Sequence, residues 1–294
     1  KHAGRMFFYN RCNDSKSAPF ADSKWTDGMN FVNPNQDADC HRIHDSLNLY
    51  PVRDLSGGWF DAGDYNKYVT FAYSAVHNLL NAYKENPDAF GDDWNIPESG
   101  NGIPDILDEI KWETDWLLKM VDSNGLTAIK MGSKDYSDNS SYPPSNNTDP
   151  RYYGPNCTSA SIAAASMLSH AGIVMKQFPA LTNYVDSLKF KAKAAADYAR
   201  PLYFADSLQY DCDDGSIISG DADVDSADQV DMLMTASIYL WELTNDAPSK
   251  NFVDFNYFVL NAHVNGDWSA YNTPLLDAMV RYAKHPNAGA NAAN

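Results

Sequence analysis

The chain has 294 residues, 44% of them apolar, enough to bury a sizeable core as one large domain or two ordinary ones. Its formal charge of −17 argues against nucleic acid or an anionic membrane as a partner and leaves neutral or cationic ligands open. No apolar run approaches a membrane span, no signal peptide is visible, and a start at Lys1 instead of Met reads as a processed or trimmed product.

The first 66 residues are rich in Asn, Asp, Pro and Gly, and only Arg5 to Tyr9 suggests a short extended piece. From Lys67 to Asn86 apolar residues recur at steps of three and four: Tyr68, Phe71, Ala75, Leu79 and Tyr83 among them. Asn86-Pro87 stops that helix and Pro104 opens the next, which runs to Asn124-Gly125 with Asp105, Asp108 and Glu109 at its dipole-favoured end. Residues 132 to 157 read as a long loop with sequons at Asn139, Asn146 and Asn156, a pattern that an Asn- and Ser-rich loop also makes by chance. Helical periods resume at Ser159–Gln177, Tyr184–Phe204, Ala227–Thr244, near Phe252–His263 and near Pro274–Lys284. No alternating run is long enough for a sheet, no linker divides the chain, and no fixed-period repeat stands out. The expectation is an all-α fold of roughly seven helices in stacked hairpins, forming a layer or barrel.

The chemistry concentrates in Ser56–Tyr65, where Asp61 and Asp64 stand three residues apart among small residues, just after Trp59-Phe60. Glycines permit a tight loop there, and the plain alternative is that the two acids cap the following helix. The acid content is otherwise lopsided, with 34 Asp against five Glu: Glu85, Glu98, Glu109, Glu113 and Glu242. Aromatics make up 13%, including 18 Tyr and seven Trp, which suits a sugar-binding groove as well as an ordinary core.

Taken together, SGGWFDAGDYNKY at Ser56–Tyr68 and NGIPDILDEIKWETDWLL at Asn101–Leu118 resemble family 9 glycoside hydrolases, cellulases built on an (α/α)6 barrel. Thr158–Ala165 and Asp231–Asp246 resemble the later helices of that family, so the likeness runs through nearly the whole chain in order. It implies a single catalytic domain over residues 1–294, an incomplete barrel corresponding to roughly the N-terminal two-thirds. It further implies a secreted, inverting enzyme cleaving β-1,4-glucosidic bonds in cellulose or related β-glucans and cello-oligosaccharides. By resemblance Asp64 is the general base, Asp61 helps position the water, and Trp59 is a candidate groove wall, with core packing as its alternative. The family's acid Glu lies beyond the last helix here, and its His-x-Arg sugar-binding motif is missing. The chain alone is therefore expected to be inactive and to need a second polypeptide segment to complete the barrel. A sugar-binding fragment without turnover, or a helical-barrel glycosidase for chitosan-type oligomers, are the competing readings.

Metals follow from the same likeness. FFYNRC and Cys40-His41 resemble the subgroup whose catalytic domain follows an immunoglobulin-like module, in which two Cys and two His hold a structural zinc. The second of those His falls where this chain has Phe60, so Cys12, Cys40 and His41 leave one ligand short unless His44 supplies it. Zinc, a Cys12–Cys40 disulfide and free thiols stay open. The acids Asp211, Asp213, Asp214, Asp221, Asp223, Asp225 and Asp228 form a second candidate site, for calcium, against the alternative of a solvated acidic loop.

Overall fold

The computed structural model describes residues 2–135, 142–260 and 272–289. Eight α-helices carry the fold among them: α1 Arg5–Asn10, α2 Val69–Glu85, α3 Asp105–Met120, α4 Thr158–Met175, α5 Thr182–Phe204, α6 Ser226–Thr244, α7 Ala247–Asn256 and α8 Thr273–Lys284. The chain beyond 260 that was expected to extend the helix near His263, and the sequon at Asn139, lie outside the described residues.

Helix α2 forms because Val69, Tyr73, Val76, Leu80 and Tyr83 make one buried stripe at helical spacing. It ends at Asn86, where the following proline disfavours a further helical turn. The ends of α6 and α7 are set by side chains. Asp225 accepts the Asp228 N–H to start α6, Asn245 ends it in the left-handed conformation at φ 59°, and Asp246 accepts the Ser249 N–H to start α7.

Helix α4 is the hub, packed against α2, α3, α5 and α6. Its small residues let neighbours approach closely: a Cβ on Gly172 would stand 2.6 Å from the Leu243 side chain of α6. By length and composition α4 passes for a membrane span, but 94% of it is buried among the other helices. Helix α8 touches both α6 and α2, so α2, α4, α6 and α8 close into an inner ring, with α3, α5 and α7 packed outside. Helix α8 buries Leu275, Ala278 and Tyr282, and Arg5 to Tyr9, expected as an extended piece, lies in the short helix α1 instead.

The ring interior holds a polar stack. His77 Nδ1 lies 2.9 Å from His170 Nδ1, Ser166 Oγ is 2.9 Å from His77 Nε2, and the His170 ring lies 4.1 Å from that of Tyr239. Burial pushes His77 down to about 3 and lowers His170 as well, so both rings are neutral.

The expectation of no sheet needs correcting. Four short strands, β1 His41–Arg42, β2 Lys67–Tyr68, β3 Lys130–Ser133 and β4 Arg151–Tyr153, pair in the order β1-β4-β3-β2. Only β1 and β4 are parallel, with His41 opposite Tyr152, and Lys67 of β2 faces Met131 of β3. Two of these strands lie in or beside what read as the long loop from 132. Runs of two to four residues are too short to show a period of two. Their role is local, because β2 follows directly on the stretch that carries the two acids.

Candidate active site

The stretch from Ser56 to Asn66 is fixed at both ends before any catalytic atom is considered. Upstream, Cys12 N donates to Gly58 O and Phe60 N to Asn10 O, each at 2.8 Å. Gly57 and Gly58 sit at φ 93° and 76°, and a Cβ on Gly58 would meet the Trp116 ring at 2.8 Å. Downstream, β2 pairs with β3, and a Cβ on Gly132 of β3 would land 1.7 Å from Asn66 Oδ1. Within the turn, Tyr65 N donates to Ala62 O at 3.2 Å and Asp61 N to Asn66 O at 3.0 Å.

A fully buried ion network grips this loop from below. Asp37 accepts from Arg151 Nε at 2.6 Å and from Lys67 Nζ at 2.9 Å. Lys67 Nζ also donates to Leu55 O and Gly57 O, and Arg151 Nη1 to Tyr65 O at 2.8 Å. Both cations therefore hold backbone carbonyls on either side of Asp61 and Asp64. Burial pushes the Asp37 carboxyl up, but the charges of Arg151 and Lys67 outweigh it and leave Asp37 below its ordinary range.

The two acids are brought together yet stand in different surroundings. Asp64 is 6% exposed; its Oδ2 accepts from the Tyr68 hydroxyl at 2.8 Å and its Oδ1 from Asn66 N at 3.3 Å. Asp61 is exposed, and partial desolvation together with the negative charge of Asp64 raises its pKa. Tyr68 was missed as a partner, because a tyrosine in an apolar period looks like core. Its hydroxyl also lies 2.6 Å from Ser219 O, and Asn66 Nδ2 donates to Ile218 O at 3.0 Å. The 210–225 connection thus packs against Tyr68 and Asn66, both of which hydrogen-bond Asp64. It is tethered by a Cys157–Cys212 disulfide and by a buried ion pair of 2.6 Å between Lys130 and Asp213.

Trp59, the candidate groove residue, is packed into the core. It is 7% exposed, lies 4.6 Å from the Phe7 ring, and its N–H donates to Glu113 Oε2 at 2.6 Å. Tyr65 packs with Phe31 and Phe60, the position that would carry the second zinc histidine.

The expected zinc ligands are not assembled. Cys12 and Cys40 are free and buried, so no disulfide joins them. Cys12 Sγ donates to Asp37 Oδ2 at 3.1 Å and Cys40 Sγ to Arg151 O at 3.5 Å. Burial, reinforced by the Asp37 charge, pushes both thiols up to about 12. His41 is half-buried and His44 exposed, and among the described residues these four make no cluster with ligand atoms within 4.8 Å of one another. The donor set as placed does not fit a closed tetrahedral shell.

The acidic run is engaged by its own loop. Asp213 holds Lys130, Asp223 accepts the Cys212 N–H at 2.8 Å, Asp214 the Ser216 N–H at 3.0 Å, and Asp225 caps α6. Two groupings among the described residues have metal-like spacing. In Cys157–Cys212–Asp223 both sulfurs are in the disulfide. In Asp92–Asp105–Asp108, Asp92 accepts the Gly102 N–H at 2.7 Å and Asp108 accepts from Asn101 Nδ2 at 3.2 Å. Of the acids expected to hold calcium, Asp223 falls in one of these groupings.

With this geometry in hand, comparison with known proteins decides the family. The family model described as "Glycosyl hydrolase family 9" matches residues 1–293. The chain belongs to that family. It is 32% identical over 171 residues to Endoglucanase D of Acetivibrio thermocellus, a match covering 57% of this chain and 26% of that protein. It is 29% identical over 249 residues to a cellodextrinase of Butyrivibrio fibrisolvens, covering 82% of this chain and 42% of the other. Among solved structures, a metagenome-derived glycoside hydrolase family 9 endoglucanase superposes with a TM-score of 0.69 at 24% identity, over 96% of this chain and 53% of its own. A Zn-binding triple mutant of GH family 9 endoglucanase J30 superposes with a TM-score of 0.76 at 22% identity, over 99% and 52%. The chain therefore shares the family's helical-barrel fold while spanning about half the length of these structures.

Proposed function

We propose that the chain carries the water-activating side of an inverting β-1,4-glucanase site, in a secreted enzyme acting on cellulose, related β-glucans or cello-oligosaccharides. The observation that carries this reading is the asymmetry of the acid pair: Asp64 is buried on the Tyr68 hydroxyl, and Asp61 is exposed with a raised pKa. Inversion asks one carboxylate to activate water while an acid roughly 6.5–9.5 Å away protonates the leaving oxygen. Asp64 takes the base role and Asp61 orients the water. The names of the relatives, endoglucanase and cellodextrinase, support the substrate class.

The acid is assigned to a segment outside this chain, because the glutamates present are otherwise placed or engaged. Glu98 and Glu109 hold Arg11, each at 3.0 Å, and Glu113 accepts the Trp59 N–H. Glu242 pairs with Arg281 Nε at 3.1 Å, and Glu85 is exposed at the last turn of α2. On this reading residues 1–294 are the N-terminal part of one catalytic domain, inactive until a second segment completes the barrel.

In the catalytically complete enzyme, Asp64→Ala should lower turnover by several orders of magnitude, and NMR of the first product should show the inverted anomer. Retention of configuration, or near-normal turnover in the variant, overturns the mechanism. The engaged glutamates also favour a second reading, a glucan-binding chain without turnover. Assaying cellopentaose, carboxymethylcellulose, lichenan and chitosan side by side separates the readings. Binding without hydrolysis marks the second, and chitosan turnover marks a glycosidase of other specificity.

A further inference from the structure

Beside the acid pair, on the side of the loop that faces the N-terminal residues, lies a hollow of about 500 Å3. That is within the roughly 300–1,000 Å3 usual for small-molecule sites. It is lined by Phe60, Ala62, Gly63 and Tyr65, the chain neighbours of Asp61 and Asp64. Trp25 forms one wall with 68% of its surface in water, an unusual exposure for the largest apolar side chain.

The hollow is built rather than incidental. Its floor is rigid because the Phe60 and Tyr65 rings pack 5.2 Å apart and each lies within 6 Å of Phe31. The segment bearing Trp25 is closed by a bridge in which Lys16 and Asp27 exchange N–H···O bonds of 2.9 Å in both directions. Asp27 Oδ2 accepts the Ser145 N–H at 3.2 Å, which ties that segment to the wall containing Pro143 and Pro144. Polar residues suited to hydroxyl recognition also line it, namely Asp27, Asn10 and Lys24. An exposed indole face with a carboxylate, an amide and an ammonium around a preformed hollow matches the surface of a pyranose, apolar on its faces and hydroxylated at its rim.

We propose that this hollow is a binding subsite for a β-1,4-linked glucosyl unit, with Trp25 as its stacking platform. It rests on the β-glucan reading of the Asp61–Asp64 site and deepens it, by placing a sugar contact on the N-terminal side of the loop. Isothermal titration of the 294-residue chain with cellotetraose tests it without needing turnover. The unmodified chain should bind saturably, Trp25→Ala should weaken binding roughly 3- to 10-fold, and Trp25→Phe should lose less. Phe190→Ala, which removes an equally exposed aromatic on α5, should leave affinity unchanged. Equal affinity in Trp25→Ala and the unmodified chain overturns the subsite while leaving the glucan reading standing, since the sugar still binds. Absence of cellotetraose binding to the unmodified chain also overturns the subsite, and hydrolysis by the complete enzyme then decides the glucan reading separately. Trp25 packs into no core, so its variants keep the fold.

Discussion

At the scale of single residues, the acid pair shows how neighbours set chemistry. Asp61 and Asp64 have the same side chain and adjacent positions in one turn, yet only one is enclosed and hydrogen-bonded by a phenol. Because the charge of Asp64 helps raise Asp61, replacing Asp64 with Asn should lower the Asp61 midpoint, read from its carboxyl 13C shift in the chain as it stands. An unmoved midpoint would show that the two carboxyls do not sense each other. Asp37 offers a harsher test. Its Asn variant would strand the buried Arg151 and Lys67 without a counter-charge, an arrangement that costs about 3–5 kcal/mol in comparable cases. Urea unfolding should show a loss of that order, and a loss below about 1 kcal/mol would mean that water or a rearranged partner replaces Asp37.

Among the elements, what the sequence made legible tracks the length of the pattern. Helices α2 to α6 carry apolar periods over several turns, so their existence could be read, with errors confined to a few terminal residues such as Lys67 and Tyr68. The sheet could not, because no strand exceeds four residues and its pairing is between distant segments. The acid pair was legible because SGGWFDAGDY is a contiguous motif. Its supports were not, since Asp37, Arg151 and Ser219 meet the loop only after folding, and the cysteine pairing followed three-dimensional proximity that spacing does not encode. The Cys157–Cys212 bond closes a loop with a sequence separation of 55, and such a bond typically contributes roughly 2–4 kcal/mol. A Cys212→Ser variant should lose stability of that size to urea and no longer respond to added reductant, while Cys40→Ser, at a free cysteine, should keep the reductant response. An identical urea midpoint with and without reductant in the unmodified chain would contradict the clamp.

Across the whole molecule, the buried ionisable groups pull the pH dependence of stability in opposite directions. His77 lies in the ring interior and is pushed down to about 3, so the stability it contributes is present above its unfolded value near 6.5 and is lost as pH falls toward 3. Glu113 is buried under Trp59 and pushed up to about 8, chiefly by desolvation. Its contribution has the other sign, being fully present below the ordinary carboxyl value and lost as pH rises toward 8. Between pH 7 and 5 each amounts to about 2 kcal/mol, with opposite signs. Removing either group should uncover the other. Glu113→Gln, which keeps an oxygen for the Trp59 N–H, should make stability fall more steeply on acidification by about 2 kcal/mol over that interval. His77→Gln should tilt the profile the opposite way by a similar amount, whatever its cost in absolute stability. Urea midpoints taken at half-unit steps of pH measure both slopes, and parallel profiles for the two variants would mean that neither group is held in the charge state its burial dictates.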